Sequence, residues 1–376
     1  VRAHPRRVTL VCALLLVVMA AGASLSSVAV LGGCGHDDGR QTLRLLYAGS
    51  VIVPFESLAR EFERRNPGLR VTTESHGSVQ CIRQITELGR RFDLLVSADY
   101  SLVPPMMFDV DDEKSGLPYA RWQVLFATNR LVLAYSEKSR HADEITQDNW
   151  YEVVARPGVR FGIADPRFDA AGYRTLMVLQ LAEHHYGDPI IFENLTLGRL
   201  APPVVTERDG ADDVILVPEL LATTPDGGLV LRGSSVQLLP LLESGDVDYA
   251  IEYESVARQR GLEYLELPPQ IDLSDAAHED LYRHVVVRID MQRFKTVKPE
   301  FRGEVIAYGM TVPVNAPNAD AGRRFTAFLL SDEGRRILAE HHQPLIEPPT
   351  AQNADRLPAS LRRLVAVPDA AGGTAP

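Results

Sequence analysis

The chain has 376 residues, 45% of them apolar and 24% charged, an ordinary balance for a globular protein and enough length for two cores. Its formal charge is −11, and the first 33 residues carry Arg2, Arg6 and Arg7 with no acid, so the remainder is more acidic still. That surface excludes nucleic acid and anionic headgroups as expected partners. An anion would have to be held by local dipoles rather than steered from afar.

The N-terminus reads as a targeting segment. Arg2, His4, Arg6 and Arg7 precede an uncharged stretch of apolar and small residues, 8–33, that closes on Leu31-Gly32-Gly33-Cys34. That closure is similar to a bacterial lipobox, so residues 1–33 are expected to be a signal peptide. Cys34 would then be the lipidated first mature residue, and 34–41 a tether. An uncut signal anchor is the structural alternative. No later stretch approaches a membrane-spanning length. With Cys12 in the signal and Cys34 lipidated, only Cys81 remains, which reads as a small helix residue. No disulfide framework or zinc spacing is present.

Two short turns then carry most of the information. Residues 43–47 (LRLLY) read as a buried strand that runs into Ala48-Gly49-Ser50, and Phe55, Leu58, Ala59 and Phe62 follow at helical spacing. Residues 69–73 (LRVTT) are a second strand, followed by Gly77-Ser78 and a helical stripe of Val79, Ile82, Ile85 and Leu88. Glycine lets a ligand approach the backbone, serine offers a hydroxyl, and a helix start offers free N–H groups. Two such turns at the carboxyl ends of strands form a cradle for a small anion. The plainer reading is that each turn caps its helix.

Further along, 92–98 is a third strand and 109–118 a charged surface loop. Residues 126–136 and 305–313 read as long strands suited to cross between two lobes, and 172–186 as a helix with Leu176, Leu179 and Ala182 inward. Residues 200–228 look irregular. Leu229–Leu231, Gly233-Ser234-Ser235 and 236–243 repeat the strand–turn–helix scheme, and 247–254 (VDYAIEYE) is strand-like. A late helix spans 325–338, and 369–376 reads as disordered. The expectation is an α/β protein of two lobes with a cleft between them: 42–125 with 303–350, then 126–302, and a tail at 351–376.

These residues resemble a family. The stretches AGSVIVPFESLAREFERRNPG, HGSVQCIRQITELGRRFDLLVSADY, RWQVLFATNRLVLAYSEKSRHADEI, DNWYEVVARPGVRFGIADP, GYRTLMVLQLAEHHYGDP, LLESGDVDYAIEYESVARQ and VIAYGMTVPVNAPN run in the order of the archaeal-type tungstate/molybdate ABC-transporter substrate-binding lipoproteins, and cover nearly all of residues 43–348. The resemblance implies the type II periplasmic-binding-protein fold and an oxyanion held between the lobes. It implies a lipid-anchored extracytoplasmic protein, expected as a monomer, that serves an ABC permease and ATPase. No cofactor and no catalysis are implied.

Carried over residue by residue, the resemblance puts Gly49, Ser50 and Ser78 on the oxyanion from the first two turns and Tyr253 from the far lobe. Members of the family also place two carboxylates on the metal, raising four-coordinate tungstate or molybdate to six. Asp169, counted back from Gly172-Tyr173-Arg174, stands at the first position, in a loop that reads Phe168-Asp169-Ala170-Ala171 where the family often has Asp-Asp-Pro-Cys. The second position, counted back from Glu243-Ser244-Gly245, holds Ser235, which suits a hydrogen-bond donor better than a metal ligand. Glu252 is the nearest carboxylate in sequence, but alternation along a strand sets it opposite Tyr253. The resulting expectation is a site nearer to tetrahedral, held by Ser50, Ser78, Ser235, Tyr253 and backbone N–H groups, with Asp169 as its one candidate metal ligand. The serines are expected to serve affinity with little effect on stability.

Three rivals remain at this point. A binding protein for sulfate, phosphate or ferric iron would share the fold, although a donor-only site rejects phosphate, whose remaining proton would meet no acceptor. An exported hydrolase would need more than Ser78, because no Gly-x-Ser-x-Gly elbow surrounds it. A ligand sensor without a transporter is the third.

Overall fold

The computed structural model describes residues 39–225, 227–290 and 300–366. Cys34, the signal and tether up to residue 38, and 369–376 lie outside the described residues. Among the described residues no helix is long and apolar enough to cross a membrane.

Two sheets define the two lobes. The first has six strands in the order Leu345–Gln352, Gln123–Thr128, Ala307–Thr311, Leu94–Ser97, Gln41–Ala48 and Leu69–His76. The second has five, in the order Leu229–Arg232, Phe161–Ala164, Tyr249–Tyr253, Leu131–Tyr135 and Glu263–Glu266. The helical stripe read from Phe55, Leu58, Ala59 and Phe62 is the buried face of Ile52–Arg65. There Phe62 meets Phe325 edge-on at 5.1 Å, and Phe55 lies 5.2 Å from Tyr47. Each such ring withdrawn from water contributes about 1.5–3 kcal/mol.

Register sets the site. Gln41–Ala48 runs parallel to Leu69–His76 with Ala48 opposite His76, so the two turns that follow, at Gly49 and Gly77, emerge side by side. Leu94–Ser97 is parallel to the same strand, with Tyr47 opposite Val96, which delivers Ala98 and Asp99 to that edge. In the second sheet Leu229–Arg232 is parallel to Phe161–Ala164 with Arg232 opposite Ala164. The third Gly-Ser turn and the loop before Asp169 therefore share one edge too.

Three expectations change. The crossing segment read as one strand over 126–136 is two strands, because Asn129 turns inward between them and donates to Ser255 Oγ at 2.8 Å and to the Tyr308 hydroxyl at 3.2 Å. The late helix is likewise two, Ala319–Leu329 and Asp332–Glu340, with Ser331 capping the second. The irregular 200–228 region contains the antiparallel pair Val205–Asp209 and Asp212–Val217, turning at Gly210 with φ 64°. That pair joins Val285–Ile289 and Glu300–Arg302 in a third sheet. Its outer strand is mostly exposed and carries no apolar alternation to reveal it. The start of the expected tail is packed: Leu357 and Leu361 are buried and Ala351 and Gln352 end a strand. Cys81 is a buried helix residue whose thiol burial pushes up, as its inert reading requires.

Candidate functional site: an anion cradle between two lobes

The glycines of the facing turns measure how closely the lobes meet. A Cβ built on Gly77 would lie 2.3 Å from the Phe168 carbonyl and 2.9 Å from Asp169 Cα, and one on Gly49 would lie 3.0 Å from Ser234 Oγ. The first clash is with backbone, the second with side chains alone, since a Val236 methyl also lies 3.0 Å from the Gly49 position. Gly77→Ala is therefore expected to lower the thermal midpoint and weaken closure of the lobes far more than Gly49→Ala. Melting curves of the two variants check this, and equal midpoints would show that the Phe168–Asp169 backbone can move aside.

Three hydroxyls at this junction are oriented in the same way. Ser78 Oγ accepts from the Ala98 amide at 3.0 Å, Ser50 Oγ from the Tyr308 hydroxyl at 3.1 Å, and the Tyr253 hydroxyl from Arg174 Nη1 at 2.8 Å. All are buried. Each oxygen is engaged from behind, and among the described residues no group accepts the proton that each retains. Buried hydroxyl protons left over are the parts of a site that donates to an anion. Ser78 also opens the helix Ser78–Thr86, whose first two N–H groups add to that polarity, while the third, of Gln80, donates to the Phe168 carbonyl at 3.3 Å.

Asp169 and Ser235 serve each other. Asp169 caps the helix Ala170–Tyr186 through Ala171 N at 3.1 Å, and its second oxygen accepts from Ser235 N at 2.9 Å. Ser235 Oγ donates to Glu252 Oε1 at 3.1 Å, so its proton turns to a carboxyl instead of outward. The hydroxyl that the third turn leaves free is that of Ser234, which is buried without a hydrogen-bond partner across from Gly49. Gly233-Ser234 repeats the Gly49-Ser50 and Gly77-Ser78 pattern, which is the signal that could have found it.

Glu252 is closer to this cluster than strand alternation suggests. One of its oxygens accepts both from Ser235 Oγ and, at 2.8 Å, from the Tyr253 amide, which draws it to the Ser235 side of the cluster. Burial pushes its carboxyl up to about 8, with bonds from Tyr253 and Ser235 opposing and the nearby Asp169 charge adding. Burial raises Asp169 as well, against the pull of the Ser235 amide, Ser234, the Ala171 amide and Arg174. Ser234 is near enough to exert that pull, although it lacks the geometry of a hydrogen bond.

Two more residues complete the cluster: Arg174, which the sequence presents most simply as structural with compensating cleft charge as the alternative, and Tyr308, which the sequence reading left aside. Arg174 is 2% exposed, and its Nη1 also donates to the Ala98 carbonyl at 2.8 Å. Burial alone would pull its pKa down, but Tyr253, Asp99 and Tyr173 outweigh it and hold the guanidinium charged. Tyr308 stands edge-on to Tyr253 at 6.0 Å. Among the described residues no group of three or more His, Cys, Asp or Glu side chains is placed to hold a metal ion. His76 bonds Glu74 at 2.8 Å, not Ser78, so no serine–histidine pair forms there.

A two-lobed α/β chain whose lobes meet through polar turns has the architecture of a solute-binding protein. The chain belongs to the family described as bacterial extracellular solute-binding protein, whose profile matches residues 43–342. It is 42% identical over 324 residues to an uncharacterized solute-binding protein of Methanoculleus marisnigri, covering 86% of each chain. It is 37% identical over 351 residues to the molybdate/tungstate-binding protein WtpA of Pyrococcus abyssi, covering 89% of this chain and 95% of the relative. Among solved structures, the sulfate-binding protein SubI of Mycobacterium tuberculosis superposes with a TM-score of 0.51 at 13% identity, over 82% of this chain and 88% of that one. At that identity the likeness is one of fold.

Proposed function

We propose that this protein captures tungstate or molybdate between its lobes and delivers it to an ABC permease, tethered outside the membrane by a lipid on Cys34 and acting as a monomer without catalysis. The observation that carries the reading is the set of leftover protons. Ser50, Ser78 and Tyr253 each accept from behind and keep one proton, and Ser234 adds a fourth free hydroxyl from the same lobe as Tyr253. Hydrogen bonds to a charged acceptor contribute about 1.5–3 kcal/mol each, so four or five donors outweigh the cost of enclosing a small dianion. The relative named for molybdate and tungstate supports this choice of anion over sulfate.

The coordination follows from the carboxyls. Both Asp169 oxygens already accept N–H bonds, and Ser235 stands where a second metal-binding carboxylate would be needed. The bound metal is expected to stay close to tetrahedral, with Asp169 the one candidate to add a bond. Titration calorimetry of the full chain with tungstate, molybdate and sulfate tests the ligand, and sulfate binding as tight as the others would overturn the choice. X-ray absorption on bound tungsten tests the geometry. Four short metal–oxygen distances are expected, and two further long ones would mean that a second carboxylate, Glu252 first among them, joins the metal.

A further inference from the structure

We propose that Arg174 is the positioning residue that makes the site prefer a doubly charged oxyanion, acting through the Tyr253 hydroxyl. The assignment rests on the oxyanion reading above. One nitrogen of Arg174 donates to the Tyr253 hydroxyl and to the Ala98 carbonyl, each at 2.8 Å. The amide of Ala98 in turn donates to Ser78. The guanidinium thus stands behind donors from both lobes at once.

Its partner is Asp99, whose Oδ2 lies 3.3 Å from Arg174 Nη2. That nitrogen is buried and makes no hydrogen bond. Asp99 receives its own bonds from the Tyr173 hydroxyl and from Ser101. The ion pair therefore acts as a fixed dipole with its positive end at Tyr253. Burying a cation is costly, and a purely structural fastener would gain from having every N–H bonded.

An N–H donated to the phenol oxygen turns that hydroxyl's proton away from Arg174 and strengthens it as a donor. The gain scales with the charge on the acceptor, so a dianion benefits more than a monoanion of the same shape. Loss of packing, by contrast, would weaken both anions alike.

Perrhenate is tetrahedral like tungstate, of similar size, and carries one negative charge fewer. Calorimetric titration of the full chain with tungstate and with perrhenate reads the charge preference directly. Arg174→Gln is expected to shrink the tungstate-to-perrhenate affinity ratio by about ten- to a hundredfold, whereas Arg174→Lys keeps most of it. Tyr253→Phe removes the relay without removing the charge and is expected to lower the ratio as well. An Arg174→Gln protein that melts like the wild type and keeps the ratio overturns the assignment. If that variant does not fold, an unchanged ratio in Tyr253→Phe overturns it instead. A wild type that binds neither anion removes the oxyanion reading itself, while tungstate binding with a ratio indifferent to these changes removes only the role of Arg174.

Discussion

Replacing Ser78 with alanine is expected to cost the protein both affinity and stability. The hydroxyl is proposed to donate to the oxyanion, so tungstate binding should weaken by about 1.5–3 kcal/mol, roughly ten- to a hundredfold. The same oxygen is the acceptor for the Ala98 amide, on a residue that is 1% exposed. Alanine leaves that N–H buried without a partner, which costs about 1–3 kcal/mol of folding stability. The structure thereby amends the expectation of affinity without stability. Ser50→Ala is expected to lose similar affinity but less stability, because the group it strands is the Tyr308 hydroxyl, whose proton can rotate. Calorimetry and ligand-free melting curves on both variants separate the two effects. Unchanged tungstate affinity in both would remove these serines from the site.

Glu252→Gln is expected to flatten the pH dependence of stability. The carboxyl rises from 4.5 to about 8 in the folded chain, chiefly through burial, so between those values the native state holds a proton that the unfolded chain has released. The stabilising contribution is whole below about pH 4.5 and is lost as pH rises through 8, by an amount on the order of 4 kcal/mol. Glutamine keeps an oxygen for the Ser235 hydroxyl and the Tyr253 amide but has no charge to bury. The variant should therefore be the more stable protein at pH 8 and differ little from the wild type at pH 5. Denaturant titrations at the two pH values check the sign. A wild type that gains stability from pH 5 to 8 no less than the variant would show that Glu252 ionises freely in the fold. Burial raises Asp169 in the same direction, so some residual slope of the same sign should survive.

The elements that the sequence determined by itself are those whose signals are local. Helical spacing of Phe55, Leu58, Ala59 and Phe62, and a Gly-Ser pair at the end of a strand, are decided within a dozen residues. The buried helix face and the polar turns at Ser50 and Ser78 are where that reading places them. The alternation of strand, turn and helix likewise sufficed for a two-lobed α/β fold. Local patterns failed where an element depends on a distant partner. The strand Val205–Asp209 shows no buried face of its own, and its sheet is completed only by Val285–Ile289 and Glu300–Arg302.

Only the tertiary structure decided which hydroxyls keep a proton to give. Ser235 and Ser234 are chemically equal neighbours, yet Glu252, 17 positions away, takes the proton of one and leaves the other free. Tyr253 is a donor because Arg174, 79 positions away, occupies its oxygen, and Ser50 is one because Tyr308 reaches it across 258 positions. A hydroxyl is donor and acceptor alike until its surroundings choose. In a buried site that choice belongs to whichever polar groups the folded chain brings within about 3 Å, a distance along which sequence separation carries no information.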